Sequence, residues 1–230
     1  YRLVIDYGVV NRLIEPCNQN TIPKVIDILQ FVVSRLWLGE MDMKRAFWQM
    51  PLHKETQKLL AISDGRNTFL PTACPMGERN VPIVFSGERL RIFYHLRKNV
   101  KIYVDNDFIG ANTPKQLVDV YKQVFETARK YNMKYNLNDT KLAVKSLDVL
   151  GFTIKKDEQG RTTREPIKKH HENFLQKAIP TSASQMRSFL GLARVLAPFS
   201  PGLSVQLAPL NRLAHQANAF KLEDTHLQLI

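Results

Sequence analysis

Two acidic residues stand where a chain could use them for metal chemistry. Asp42 falls at the end of an apolar segment, Leu38 to Met43, and Asp105 directly follows another, Lys101 to Val104. Carboxylates that converge on one point hold hard divalent cations. A pair of such cations supports phosphoryl transfer, one activating the attacking hydroxyl and one gripping the phosphates. Adjacent strands of one sheet would bring Asp42 and Asp105 together. Each also has a plainer explanation, because Asp105 and Asn106 are favoured turn residues and an isolated Asp42 is an ordinary solvated charge. Spacing alone does not choose between them.

The hydrophobic pattern supplies the elements that would position these groups. Leu38 to Met43 reads as a strand, and Lys101–Val104 with Asp107–Ile109 reads as a hairpin turning at Asp105 and Asn106. Residues 113–131 form the clearest helix: Thr113 can cap it, Pro114 suits its first turn, and Leu117, Tyr121, Val124 and Ala128 make an apolar stripe. Pro23 opens an earlier helical stretch with Ile26, Leu29, Val32 and Val33 on one face, while Tyr1 to Tyr7 alternates like a strand. Beyond Lys156 the pattern turns helical. A capping box at Ser182 and Gln185 leads Met186, Phe189, Leu190, Ala193 and Leu196 at helical spacing, with a boundary expected near residue 152.

Composition narrows the partners. Lys and Arg number 33 against 21 Asp and Glu, a formal charge of +12 that attracts a polyanion or merely solvates a basic surface. With 44% hydrophobic and 23% charged residues the chain should fold. Cys17 and Cys74 lack metal-ligand spacing and fit plain thiols in a reducing setting. No apolar run reaches the roughly 20 residues of a membrane span, and no signal pattern opens the chain, so no membrane role is expected.

An ordered set of motifs then carries a resemblance. Tyr1-Arg-Leu-Val-Ile-Asp-Tyr7 with Asn11, Glu40-Met-Asp-Met-Lys-Arg-Ala-Phe-Trp-Gln-Met-Pro-Leu52, Cys74-Pro-Met-Gly77 with Pro82 and Phe85, and Ile102-Tyr-Val-Asp-Asn-Asp-Phe-Ile109 resemble motifs of reverse transcriptases from LTR-type retroelements. Lys134–Leu142 is similar to a further motif of that family, and Leu150-Gly-Phe152 to its primer-grip turn. Arg187-Ser-Phe-Leu-Gly-Leu192, with Phe199 and Pro209-Leu210, looks like the thumb of gypsy-type elements; a DIRS-like relative is the other possibility.

The resemblance implies roles. Asp42 and Asp105 would bind metal, with Asn106 in the place of the usual second aspartate, where a neutral amide carries one negative charge fewer. Strand alternation should point the neighbouring Asp107 away. Arg2, with Asp6, would contact the incoming triphosphate, Phe47 would act as the steric gate against a ribose 2′-hydroxyl, and Met76, Gly77 and Tyr103 would border the nucleotide. Lys141 would protonate the departing pyrophosphate.

The implied fold is α+β, a right-hand polymerase with partial fingers, an antiparallel-sheet palm backed by helices, and a helical thumb. Its parts would be fingers and palm at 1–151, thumb at 152–214 and a linker or connection at 215–230. The implied activity is RNA-directed DNA polymerisation with Mg²⁺ or Mn²⁺, a primed RNA or DNA template and dNTPs. The chain would be a fragment of a polyprotein that also holds RNase H and integrase or recombinase modules. Its expected setting is intracellular: cytoplasm, virus-like particles or nucleus. A decayed module that binds nucleic acid without catalysis is the alternative, motivated by Asn106 and the irregular segment Glu78 to Val81.

Overall fold

The computed structural model describes residues 5–18, 21–169, 172, 178–200, 202–215 and 220–227. The chain divides between Leu147 and Asp148 into two compact units. In chain order, the first holds α1 (Gly8–Leu13), α2 (Val25–Val33), β1 (Trp37–Met43), α3 (Lys54–Leu59), β2 (Ile62–Ser63) and β3 (Thr68–Phe69). It continues through α4 (Val81–Ile92), β4 (Val100–Tyr103), β5 (Asn106–Ala111), α5 (Pro114–Lys130) and β6 (Tyr135–Val144).

Four of these strands form an antiparallel sheet in the order β4-β5-β1-β6. Across β1 and β5, Leu38 lies opposite Gly110, Glu40 opposite Phe108 and Asp42 opposite Asn106. Side chains alternate between faces with period two, so those six residues share one face while Met41 and Asp107 share the other. The second face carries the core: Met41, Ile102 and Ile109 pack under Leu117, Val120, Tyr121 and Val124 of α5. Burying each large aliphatic side chain there contributes about 1.5–3 kcal/mol. Gly39 of β1 is needed at this contact, because an added Cβ would lie 1.7 Å from the Tyr121 hydroxyl. That hydroxyl instead passes the strand and donates to the Lys141 carbonyl of β6 at 3.1 Å.

Helix α5 starts as the sequence indicates: the Thr113 hydroxyl accepts from the Gln116 amide at 3.1 Å and Pro114 opens the first turn. Helix α2 differs from expectation. It begins at Val25 and buries Ile28, Leu29, Phe31 and Val32, leaving Ile26 and Val33 exposed. The cause is packing on β5, where the Phe31 ring fills the space above Gly110. The expected N-terminal strand is also corrected, as far as it is described: Ile5 to Tyr7 are not extended into a sheet, and Tyr7 leads directly into α1.

A three-stranded sheet follows, made of β7 (Ser146–Val149), which spans the division, β8 (Phe152–Lys156) and β9 (Thr162–Pro166); of these, β9 falls beyond Lys156, where helices were expected. Two turns explain it. Leu150 and Gly151 both take positive φ, 49° and 98°, as a two-residue hairpin connection demands. Gly160 (φ 77°) lets Asp157 and Arg161 close the next turn, the Asp157 amide donating to the Arg161 carbonyl at 3.0 Å. Then follow α6 (Ala183–Leu196), α7 (Leu203–Gln206), α8 (Leu210–Leu213) and α9 (Asp224–Leu227). Ser182 caps α6 by accepting from the Gln185 amide, and Met186, Phe189, Leu190 and Ala193 meet Leu207 and Leu210. Among the described residues, no helix is long and apolar enough to cross a membrane.

Candidate active site

Asp42 is the penultimate residue of β1, on the face away from α5. At the Leu38 end of that face α2 closes over the sheet; at the Asp42 end the surface opens into a cleft of about 1210 Å³. Asp42, Asp105, Phe47, Met76 and the cations Lys44, Arg45 and Lys134 all line it.

Local geometry fixes each wall. Arg45 takes a left-handed φ of 52° and starts a short 3-10 turn, Ala46–Gln49, which swings Phe47 into the cleft. The Gln49 amide closes this wall: its nitrogen donates to the Lys44 and Lys134 carbonyls, and its oxygen accepts from the Lys134 amide at 2.8 Å. Opposite, Cys74 donates its amide to the Met50 carbonyl at 2.9 Å and Leu52 donates to Thr72 at 3.0 Å, which holds residues 72–76 beside the turn. Burial, aided by the charge of Glu78, pushes the Cys74 thiol up to about 11, so it is inert at neutral pH.

The hairpin turns one residue earlier than the sequence suggests. Val104 and Asp105 form the turn, Val104 at φ 54°, and Asn106 already begins β5 opposite Tyr103 and Asp42. A β-branched residue in the left-handed region is strained, so the surroundings must hold it there. Two bonds do so: the Asp105 carbonyl accepts from the Met43 amide at 3.0 Å, and the Val104 carbonyl accepts from Arg89 at 2.7 Å.

Burial raises the Asp42 carboxyl above its ordinary range, and the charges of Asp105, Asp139 and Glu40 add to the rise; Arg89 opposes it. Carboxylates that repel one another in a half-buried setting favour a cation between them. Among the described residues, no group of three or more His, Cys, Asp or Glu is assembled as a metal cluster. The carboxylates lining the cleft are Asp42 and Asp105, hard ligands that suit Mg²⁺ or Mn²⁺; Asn106, the register partner of Asp42, is not among the lining residues.

The remaining sequence candidates are placed as follows. Phe47 is half-buried and meets Phe85 edge-on at 5.2 Å between ring centres. Met76 is exposed at the cleft rim. Gly77 has φ 100°, and an added Cβ would come within 3.0 Å of the Ile5 carbonyl; its own carbonyl accepts from Asn11 at 2.8 Å. Asn11 also accepts from the Arg79 amide at 3.0 Å, which ties the first motif to the third. Asp6 accepts from the Gly8 amide at 2.7 Å, and Tyr103 sits half-buried in β4. Lys141 is not brought to the cleft: its ammonium pairs with Glu40 at 2.9 Å, and the described lysines that line the cleft are Lys44 and Lys134. Arg2 lies outside the described residues.

Sequence reasoning missed the group beneath the hairpin. Asp107 points away from the cleft, as alternation requires, and is fully buried against Arg89 of α4, with the Tyr135 hydroxyl donating to its second oxygen. Burial pushes the Asp107 carboxyl up, against the pull of Arg89 and Tyr135. The signal was present: Phe85, Arg89 and Phe93 recur every four residues, placing an arginine in an apolar stripe.

The sequence matches the family model for reverse transcriptase (RNA-dependent DNA polymerase) over residues 1–154. The chain belongs to the reverse transcriptase family. This reverse transcriptase domain is 26% identical over 225 residues to the Pro-Pol polyprotein of Simian foamy virus type 1, covering 95% of the chain and 18% of that polyprotein. It is 25% identical over 230 residues to the transposon Tf2-7 polyprotein of Schizosaccharomyces pombe, covering 100% of the chain and 17% of the relative. The chain therefore spans less than a fifth of the length of these relatives. Among solved structures, the foamy viral protease-reverse transcriptase bound to double-stranded DNA aligns with a TM-score of 0.82 at 21% identity, over 99% of this chain and 39% of that one. The same enzyme with an RNA/DNA hybrid gives 0.79 at 20% identity, over 99% and 30%. The reverse transcriptase domain thus has the right-hand polymerase fold, and its relatives are polyproteins of retroviruses and a retrotransposon.

Proposed function

We propose that this domain extends a primer with dNTPs along an RNA or DNA template, and that Asp42 and Asp105 are its metal-binding carboxylates. The observation that carries the reading is that both line one cleft, Asp42 from the end of β1 and Asp105 from the turn between β4 and β5. Divalent cations held there would activate the primer hydroxyl and neutralise the triphosphate. Asn106 would offer its amide oxygen, and Phe47, braced by Phe85, would leave no room for a 2′-hydroxyl. Met76 and Gly77 border the nucleotide, as does Tyr103, while Arg2 and Asp6 serve the triphosphate side. Lys44 and Lys134 give the cleft its described ammonium groups; Lys141 would have to leave Glu40 to act as the acid.

Residues 1–151 are assigned to fingers and palm, 152–214 to thumb and 215–230 to a connection. The surplus of basic residues would track phosphates, so template binding should weaken as salt rises. RNase H and integrase modules of a gypsy-like polyprotein are the natural partners, in the cytoplasm or in particles.

The test is primer extension with Mg²⁺ or Mn²⁺ by the wild-type domain in its full polymerase region, beside Asp105→Asn and Asn106→Asp. Extension that disappears in Asp105→Asn is expected. One feature favours the alternative of a decayed centre: the place opposite Asp42 is held by the neutral Asn106. Silence that only Asn106→Asp relieves would establish that alternative, and silence in every version would leave a nucleic-acid-binding module.

A further inference from the structure

The catalytic hairpin rests on a buried ionic group that the reaction itself does not use. Arg89 enters from α4 with about 1% of its side chain exposed, and Asp107, its partner, is fully enclosed. The guanidinium is forked between two tasks. One terminal nitrogen bonds the Asp107 carboxylate, and the other donates to the Val104 carbonyl at 2.7 Å. Tyr135 closes the ring by donating to Asp107, and its oxygen lies 3.5 Å from Arg89. The guanidinium also lies over the Phe85 ring, 5.6 Å from its centre, and Phe85 is the ring that braces Phe47.

Val104 immediately precedes Asp105 and holds a left-handed φ that a valine does not take unaided. A buried ion pair is a poor source of stability compared with apolar packing of the same volume, so its presence here calls for another use. A forked, rigid donor set fixes direction in a way that a single ammonium or an apolar side chain does not.

We infer that Arg89 is a positioning residue: through Val104 it fixes the strained turn that aims the Asp105 carboxylate at Asp42. It touches neither substrate nor metal. Asp107 and Tyr135 orient Arg89 from beneath the sheet. The inference rests on the reading of Asp42 and Asp105 as metal ligands.

The experiment measures Mn²⁺ binding to the chain by electron paramagnetic resonance, beside thermal unfolding of each variant. The controls are wild type and Asp42→Asn. The test variant is Arg89→Met/Asp107→Leu/Tyr135→Phe, which replaces the whole ionic group with apolar side chains and leaves no charge stranded. Arg89→Lys is the second variant; it keeps a charge for Asp107 without the fork, and it decides the matter should the triple variant not fold. Expected is a cooperative unfolding transition with Mn²⁺ affinity lower by about tenfold or more, the usual scale for losing the group behind a ligand. Wild-type affinity in a folded triple variant, or in Arg89→Lys, overturns the positioning role and leaves the metal site standing. Equal Mn²⁺ binding by wild type and Asp42→Asn instead overturns the metal site, and the positioning role with it.

Discussion

Asp42 and Asp107 lie on neighbouring strands, one step apart in register, and face opposite sides of the same sheet. Their surroundings could hardly differ more. Asp42 looks into an open cleft that Asp105 also lines, with its carboxyl raised by burial and by Asp105. Asp107 is sealed against Arg89 and Tyr135 with every oxygen engaged. One carboxylate is left wanting a cation and the other has been given one. The comparison teaches that residue type does not set the role of an acid here. Strand parity does, because a shift of one residue exchanges an open site for a closed ion pair.

Substituting each acid in turn should separate the two roles. Asp42→Asn should cut nucleotide addition by about a thousandfold or more, since cation stabilisation of the transferring phosphoryl group amounts to several kcal/mol. Single-turnover primer extension measures this, and a variant retaining most of its rate would remove Asp42 from the site. Asp107→Asn should do the reverse in kind, costing about 3–5 kcal/mol of folding stability by stranding Arg89 in the interior. Urea unfolding reads that loss; a change under 1 kcal/mol would mean the pair is solvated.

A smaller effect is expected from making the open face more acidic. Asn106→Asp places a carboxylate opposite Asp42, and divalent affinity should rise by about tenfold, because ligand charge tunes such sites. Titration with Mn²⁺ checks it. The smallest effect concerns pH. A carboxyl raised in the folded state binds its proton more tightly there than in the unfolded chain, so metal-free stability should fall as pH rises through and above the ordinary carboxylate range. Asp42→Asn should flatten that part of the curve of Tm against pH in chelator, and added Mg²⁺ should do the same for wild type.

Much of this was legible in the chain. The strand carrying Asp42, the hairpin carrying Asp105, the cap at Thr113 and the cap at Ser182 all follow from local chemistry that the structure repeats. The fold class likewise stands, because ordered motifs constrain topology more tightly than any one of them does. The exact turn was not legible, since local preference puts Asp105 and Asn106 at its centre, whereas Arg89 holds Val104 there from a distant helix. The phase of α2 was not legible either: Ile26 and Val33 have the spacing of a buried stripe, but Gly110 decides which side receives the helix. Nor did the sequence separate Lys141 from Lys134, because only the register of β6 against β1 sets Lys141 beside Glu40.

That register has another outcome. β6 is an outer strand ten residues long, with Leu137 and Leu142 exposed, and such an edge is a template for pairing between molecules. Its ladder to β1 is irregular between Leu38 and Glu40 and again between Glu40 and Asp42. Bulges of this kind twist a strand and break the even row of backbone groups that a second copy would need. The opposite edge, β4, is only four residues long. The irregularities that bring Asn136 beside Asp42 therefore also act as a guard on solubility, and straightening β6 to gain stability would be expected to create a sticky edge.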